Sequence, residues 1–216
     1  MKKRIVVLVS GGGTNLQALI DAQSQGRLGG GEIVAVISSK AGAYALERGQ
    51  KAGIPGYVLP RKSFPSNRAM TVALVKMLQD LRTDLVVLAG CMVIFTRELS
   101  DAYPNAVMNV HPALIPSFCG EGYYGLHVHE AALRYGVKVS GATVHFVSEE
   151  CDGGPIIAQK AVPVSESDTP ETLQKRIMEQ AEWKLLPEAV KLFCEGRLTV
   201  EGRTVIISEE NEDERL

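Results

Sequence analysis

Short apolar runs alternate with amphipathic stretches through the first half of the 216-residue chain, and this order constrains the fold more than any other feature. The first run, Ile5–Val9, is continuous and rich in β-branched residues, which is typical of a strand covered on both faces. The next stretch, 14–25, places Leu16, Leu19 and Ile20 at helical spacing. The predicted strands are Ile5–Val9, Ile33–Ile37, Tyr57–Leu59, Leu85–Ala89 and Val107–Val110, with predicted helices at 14–25, 43–52 and 66–81. This order predicts an α/β fold with a doubly wound, mostly parallel sheet.

The pattern changes after residue 136. Two longer strand-like runs, Val137–Val147 and Ile156–Val164, are joined by a turn at 149–155 that is rich in acidic residues and glycine. These runs predict an antiparallel strand pair that closes the sheet. Residues 170–195 predict a long C-terminal helix, with a kink at Pro187 because proline cannot donate a backbone hydrogen bond.

Composition restricts the class of protein. The length suits one domain covering residues 1–216, and 45% hydrophobic with 22% charged residues is ordinary for a soluble enzyme. The formal net charge of -2 makes nucleic acid and anionic membranes poor candidates as partners, and no apolar run has the length of a transmembrane helix. Four widely spaced cysteines predict free thiols in a reducing cytoplasm rather than disulfides or a zinc site. The acidic tail from Glu209 to Arg215 is predicted to fray.

A glycine-rich loop, Ser10-Gly11-Gly12-Gly13-Thr14-Asn15, lies between the first strand and the first helix. Glycines let backbone amides approach an anion, and the helix N-terminus adds a favourable dipole. The loop lacks the Gly-Lys-Ser/Thr of a Walker A motif, and Leu16 occupies the third glycine position of a dinucleotide motif. A terminal phosphate monoester is therefore favoured over a dinucleotide. The alternative is a tight strand-to-helix turn without a ligand.

Asn109 and His111 lie two residues apart at the end of a predicted strand, so their side chains point to the same face. Pro112 then ends the strand. An amide donor beside a titratable ring suits acyl transfer through an oxyanion. The alternative is a capping asparagine and a structural histidine. The catalytic interpretation of Asn109 and His111 is favoured over the structural one because the phosphate loop reaches the same edge of the sheet, where open α/β sheets bind ligands.

Asp152 lies in the acidic turn and is followed by two glycines, which allow a sharp backbone and close approach to a ligand. Near His111 it would orient the ring and raise the pKa of the imidazole. The alternative is a solvated hairpin turn. His145 alternates into a strand and is interpreted as a packed ring with a partner. A zinc site formed by His127, His129 and His145 lacks characteristic spacing.

Four ordered motifs indicate a family. They are Ser-Gly-x-Gly-Thr-Asn-Leu at 10–16, Leu-Ala-Gly at 88–90, Asn-x-His-Pro at 109–112, and Gly-x-Thr-Val-His-Phe-Val with Asp-Gly-Gly-Pro within 141–155. Together they cover nearly the whole chain. In this order and spacing they resemble the folate-dependent formyltransferases, specifically the glycinamide ribonucleotide (GAR) formyltransferases of purine synthesis.

The resemblance implies a Rossmann-like formyltransferase fold that transfers a formyl group from 10-formyltetrahydrofolate to the amine of GAR, without a metal. It implies small-molecule substrates and a cytoplasmic monomer or homodimer. Residues 1–110 would form a phosphate-binding half and 111–216 a catalytic and folate-binding half. Alternatives are a 10-formyltetrahydrofolate hydrolase, a methionyl-tRNA formyltransferase and a non-catalytic folate or nucleotide binder. The phosphate loop favours an amine acceptor over water, and the low net charge disfavours tRNA.

The resemblance also assigns roles to residues. The catalytic residues would be Asn109, His111 and Asp152. The phosphoribosyl group of GAR would be held by Gly13, Thr14, Asn15 and Glu182. The folate would contact Arg68, Met92, Val93, Ile94, Phe95, Glu149, Glu150 and Cys151.

The chain departs from common family members at three places. Val93 occupies a position where a basic residue is frequent, and Cys151 one where a larger aliphatic residue is usual. The segment 117–125 is longer than in the shorter relatives, and its glycines and aromatics predict a mobile flap over the site. The alternative for this segment is an inert surface loop.

Overall fold

The computed structural model describes residues 2–209, so nearly all of the acidic tail lies outside the described residues. Within that range the strands are β1 (Lys3–Val9), β2 (Gly31–Ser38), β3 (Gly56–Val58), β4 (Leu85–Leu88), β5 (Val107–His111), β6 (Val139–Phe146), β7 (Ile156–Pro163), β8 (Leu198–Glu201) and β9 (Thr204–Ile207). The helices are α1 (Thr14–Ser24), α2 (Tyr44–Lys51), α3 (Asn67–Asp80), α4 (Glu98–Ala102), α5 (Leu126–Tyr135), α6 (Pro170–Ile177) and α7 (Trp183–Cys194). The strands form one sheet in the order β3-β2-β1-β4-β5-β6-β7-β9-β8.

The first five strands are parallel, and helices cover both faces, as predicted. Residues of β1 alternate between two apolar cores. Ile5 and Val7 pack in the core that includes α1 and α7, whereas Val6 and Leu8 pack in the core that includes α3. Because both faces of β1 are buried, a continuous apolar run is the expected sequence, and the predicted α/β class is confirmed.

The predicted antiparallel pair, β6 and β7, is confirmed, but it does not close the sheet. Strand β9 pairs with β7 through Ile156 and Thr204, and β8 pairs with β9 on the outside. The prediction of an edge at β7 is therefore wrong. The two added strands are only four residues long and at most half-buried, so they lack the apolar run that reveals a strand in the sequence.

The C-terminal helical segment is interrupted, and not where the proline predicts. Its start is capped, because the Thr169 side chain accepts from the backbone amide of Thr172 and proline occupies the first turn. A π-helical turn at Met178–Glu182 then separates α6 from α7, and Pro187 lies inside α7. The amide of Trp183 accordingly bonds to the carbonyl of Met178, five residues back. The irregularity falls in the turn before the proline, and this places Glu182 at the junction.

Three chain segments meet at the carboxyl ends of the parallel strands. The glycine-rich loop follows β1, residues 89–97 follow β4, and β5 ends at His111. Ser10 connects two of them, because its Oγ accepts from the backbone amide of Met92 at 2.8 Å. In the described part of the chain, no helix combines the length and apolar character needed to cross a lipid bilayer.

Candidate active site

The structure brings Asn109, His111 and Asp152 together at the end of β5. Asn109 donates through Nδ2 to Asp152 Oδ1 at 3.3 Å, and His111 Nδ1 lies 3.4 Å from Asp152 Oδ2. The acidic turn brings Asp152 to the strand in a left-handed backbone conformation, with φ of 54°. This is an uncommon conformation for a residue other than glycine, and such residues concentrate at functional sites. The alternative of a solvated turn does not describe Asp152, whose side chain is nine-tenths buried.

His145 belongs to the same cluster, although its sequence position suggested only a packed ring. It lies opposite Asn109 on the neighbouring strand β6, and its Nε2 is 3.2 Å from Asn109 Nδ2 and 3.6 Å from Asp152 Oδ1. Its Nδ1 lies 2.8 Å from the carbonyl of Phe146, which can only accept, so Nδ1 carries a hydrogen. His145 therefore fixes the orientation of the Asn109 amide. The signal in the sequence was its cross-strand register, which requires knowledge of the β5–β6 pairing.

The segment 117–125 contacts the site rather than lying inert on the surface. The carbonyl of Phe118 is 2.8 Å from His111 Nε2, and the amide of Gly120 donates to Asp152 Oδ2 at 2.9 Å. These two backbone groups have no sequence signature, so they were not predicted. The position of the segment over the site matches the predicted flap, and its mobility stays a prediction.

The pKa of His111 is lowered, contrary to the sequence argument. Burial is the largest cause, because it disfavours the charged ring. The Asp152 carboxylate and the Phe118 carbonyl favour the protonated ring but do not outweigh burial. The carboxylate raises the pKa of His111 only weakly, because the 3.4 Å distance between Asp152 Oδ2 and His111 Nδ1 is longer than a normal hydrogen bond. The predicted net increase is therefore wrong.

The pKa of Asp152 is also lowered. Burial alone would raise it, but the contact with His145, the charge of His111 and the Gly120 amide together outweigh burial. The donors available for an oxyanion are already used, since Asn109 faces Asp152 and His145, and His111 Nε2 faces Phe118.

The predicted phosphate loop turns sharply at Gly13, whose φ is 71°. Helix α1 begins at Thr14 without a side-chain cap, so its first amides remain available to a ligand. A methyl group at Gly13 would lie 2.6 Å from Cβ of Ala45, which explains the need for glycine at this position.

Asn15 and Glu182, which the resemblance assigns to the phosphoribosyl group, contact each other behind this loop. Asn15 Nδ2 donates to Glu182 Oε2 at 2.6 Å, and both residues are buried. Burial raises the pKa of Glu182 to about 7, and the bond from Asn15 opposes this shift. Asn15 Oδ1 is buried without a partner among the described residues. Thr14 is half-buried at the first position of α1.

The residues expected to contact folate fall into several places. Arg68, Phe95 and Glu149 line a cavity of about 680 Å³, in which Arg68 Nε bonds to Glu98 Oε1 at 2.6 Å. Val93 lines a separate, smaller apolar cavity that also touches Phe95.

The other predicted folate contacts lie at the surface. Met92 and Ile94 are 50% and 55% exposed, on the face of the segment opposite Val93. Glu150 and Cys151 are exposed on the acidic turn beside Asp152. Among residues 2–209, no group of three or more histidine, cysteine or acidic side chains is arranged to hold a metal ion.

The strand order of the sheet and the Asn-His-Asp cluster at its carboxyl edge identify the class of protein as the formyl transferases. The sequence model of the formyl transferase family matches residues 3–190, and the chain belongs to that family. Phosphoribosylglycinamide formyltransferase of Haemophilus influenzae is 43% identical over 91% of this chain and 89% of its own length. The chloroplastic enzyme of Arabidopsis thaliana is 40% identical over 99% of this chain and 73% of its own length. The crystal structure of glycinamide ribonucleotide transformylase 1 from Symbiobacterium toebii superposes with a TM-score of 0.91 at 46% identity, covering 96% and 95% of the two chains.

Proposed function

We propose that this protein transfers the formyl group of 10-formyltetrahydrofolate to the amine of GAR, giving formyl-GAR and tetrahydrofolate in purine synthesis. The observation that carries the proposal is the contact of Asp152 with Asn109 and His111 at the carboxyl edge of the sheet. The same edge holds the glycine-rich loop, after which α1 begins without a side-chain cap. The cluster of Asn109, His111 and Asp152 suits acyl transfer, and the glycine-rich loop suits a phosphate monoester. Similarity to proteins of that activity supports the same acceptor.

The acceptor would be held at the start of α1. Amides of Gly13, Thr14 and Asn15 would donate to the phosphate, where the helix dipole favours negative charge. Glu182 and the unpaired Oδ1 of Asn15 would take the ribose hydroxyls. One hydroxyl of a sugar supplies the donor that Asn15 Oδ1 lacks, and a vicinal hydroxyl would donate to the Glu182 carboxylate.

The donor would lie along residues 92–95 and the acidic turn. Phe95, which lines the larger cavity, offers apolar surface for the pterin ring with Val93 beside it, and Arg68 is a cation for a carboxylate of the folate tail. The remaining contacts to the donor would come from exposed side chains, which are Met92, Ile94, Glu149, Glu150 and Cys151.

The chemistry follows from the cluster. When the amine attacks the formyl carbon, negative charge develops on the formyl oxygen, and Asn109 and protonated His111 would donate to it. Asp152 would stabilise the charged ring and position a water that relays a proton to the leaving folate nitrogen. Because Phe118 now accepts from His111 Nε2, its carbonyl has to move before that nitrogen can serve the oxyanion. Loss of one such donor typically costs about 2.7–4 kcal/mol of barrier.

The test is release of tetrahydrofolate from 10-formyltetrahydrofolate with and without GAR. Wild-type protein should release folate only when GAR is present. Asp152→Asn should lower turnover about 100-fold or more, while leaving GAR binding nearly unchanged. Asp80→Asn is the matched control, because Asp80 is an exposed carboxylate whose ion pair within residues 2–209 is with Lys76.

Three results would contradict the proposal. Release without GAR indicates a hydrolase, and no release under either condition indicates a non-catalytic binder. Near-normal turnover of Asp152→Asn would remove that residue from the catalytic role.

We further propose that residues 1–216 act as one formyltransferase domain, with phosphate binding in 1–110 and catalysis with folate binding in 111–216. A cytoplasmic location is supported by the four cysteines, none of which forms a disulfide in the described residues. Small-molecule substrates are sufficient for this activity, and the active form is proposed to be a monomer or homodimer.

A further inference from the structure

The three glycine carbonyls of the glycine-rich loop are bonded, whereas its amides from Gly11 to Asn15 are not. Gly11 O accepts from the amide of Ala45 at 3.1 Å, Gly12 O accepts from Arg48 Nε at 2.8 Å, and Gly13 O accepts from Gln17 N. Within residues 2–209, no acceptor pairs with the backbone amides from Gly11 to Asn15. Gly11 and Gly12 are exposed, and Thr14 and Asn15 begin α1, so these consecutive amides are free to form a cradle for an anion.

Helix α2 holds this arrangement in place through Arg48. Besides its bond to Gly12, Arg48 donates through Nη1 to Gln17 Oε1 at 2.9 Å, on helix α1. Its Cζ lies 4.9 Å from the ring centre of Tyr44. The arginine thus joins α2, the loop and α1, and its stem lies beside Gly13, where a Cβ would be 3.5 Å from Arg48 Cδ.

The charge of Arg48 is not balanced by an acidic side chain in the described part of the chain. Its contacts are a carbonyl, an amide oxygen and an aromatic ring, all of them neutral. An arginine carries five N–H donors, and these contacts use two of them. A half-buried cation with spare donors beside unpaired amides is the expected complement of a phosphate.

We infer that Arg48 is a positioning residue for the phosphate of the acceptor: it braces the Gly11–Gly13 turn with its amides free and adds a positive charge next to them. The inference rests on the proposed function for the identity of the acceptor, but the phosphate site itself can be tested without turnover. Arg48 acts through the loop and has no role in the formyl-transfer step.

The test compares Arg48→Met and Arg48→Lys with Lys51→Met. Lys51 is the matched control because it lies on the same helix, contacts the same Tyr44 ring at 5.4 Å and does not touch the loop. Arg48→Met should raise KM for GAR about tenfold or more, the loss expected of a charge-assisted contact. KM for 10-formyltetrahydrofolate and kcat at saturating GAR should stay unchanged, and Lys51→Met should behave as wild type. Arg48→Lys should restore part of the loss, because it keeps the charge but not the forked geometry.

The dephosphorylated glycinamide riboside separates a phosphate effect from general damage. Its KM should be the same in wild type and Arg48→Met. Equal losses for GAR and the riboside, or no loss for either, would overturn the inference. Calorimetric titration with ribose 5-phosphate makes the result independent of activity: binding that is weakened by Arg48→Met supports the phosphate site even if wild-type protein shows no GAR-dependent transfer, whereas equal binding by both proteins contradicts it.

Discussion

Replacing Glu182 with Gln should change how folding stability depends on pH. Burial raises the pKa of Glu182 from 4.5 to about 7 in the folded protein. Because the folded state holds the proton more tightly than the unfolded state, the protonated carboxyl contributes stability below about pH 4.5. That contribution decreases as the pH rises and is lost above about 7. Each pKa unit corresponds to about 1.4 kcal/mol, so the total change is about 3 kcal/mol.

Glutamine removes the titration while keeping the shape. Its side-chain oxygen can accept from Asn15 Nδ2, as Glu182 does now, and its amide hydrogens can be given to the unpaired Asn15 Oδ1. We expect the free energy of unfolding of Glu182→Gln to exceed that of wild type above pH 7, and the difference to shrink toward pH 5.

Urea denaturation at half-unit steps from pH 5 to 8.5 measures this difference directly. Glu188→Gln is the control, because Glu188 is an exposed carboxylate on α7, the helix that begins directly after Glu182, and its replacement makes the same chemical change without burial. Parallel profiles for wild type and Glu182→Gln would refute the reasoning. KM for GAR, measured alongside, should rise in Glu182→Gln, since the amide is a poorer acceptor for ribose hydroxyls.

Three further changes have defined outcomes. Asn109→Ala should lower kcat by about 100- to 1000-fold with little change in the dissociation constant for GAR, as measured by steady-state kinetics and calorimetry. Gly13→Ala should destabilise the fold by about 1–3 kcal/mol in urea denaturation and weaken GAR binding, because its positive φ and the 2.6 Å approach to Ala45 both exclude a side chain. Asp168→Asn should reduce stability at neutral pH. The bonds from Arg176 lower the pKa of Asp168 to about 2, so its contribution is present above pH 3.8 and disappears as the pH falls through 2; the gap between wild type and variant in an acid titration should close there.

The parallel half of the fold follows from local sequence patterns. The buried part of β1, Ile5–Val9, is a continuous apolar run followed by the periodic helix α1, so these elements and their order are predictable. The edge of the sheet is less predictable, because β8 and β9 are short and half-exposed and their burial depends on β7 being present.

The residues of the candidate site also fall into those that local sequence patterns predict and those that they do not. The pair Asn109 and His111 can be predicted because strand periodicity alone puts them on one face. The participation of His145 depends on the β5–β6 register, and that of Phe118 and Gly120 depends on backbone atoms that carry no residue signature. The direction of the His111 pKa depends on the depth of burial, which a sequence does not specify.

The loop that covers the site has a consequence for measured affinities. Phe118 and Gly120 hydrogen-bond to His111 and Asp152, so these polar groups are not left unpaired. A ligand that reaches His111 has to replace those bonds before it gains any of its own. The free energy of breaking these loop bonds therefore offsets part of the free energy gained from contacts between ligand and site. Measured dissociation constants will be weaker than those contacts alone would give.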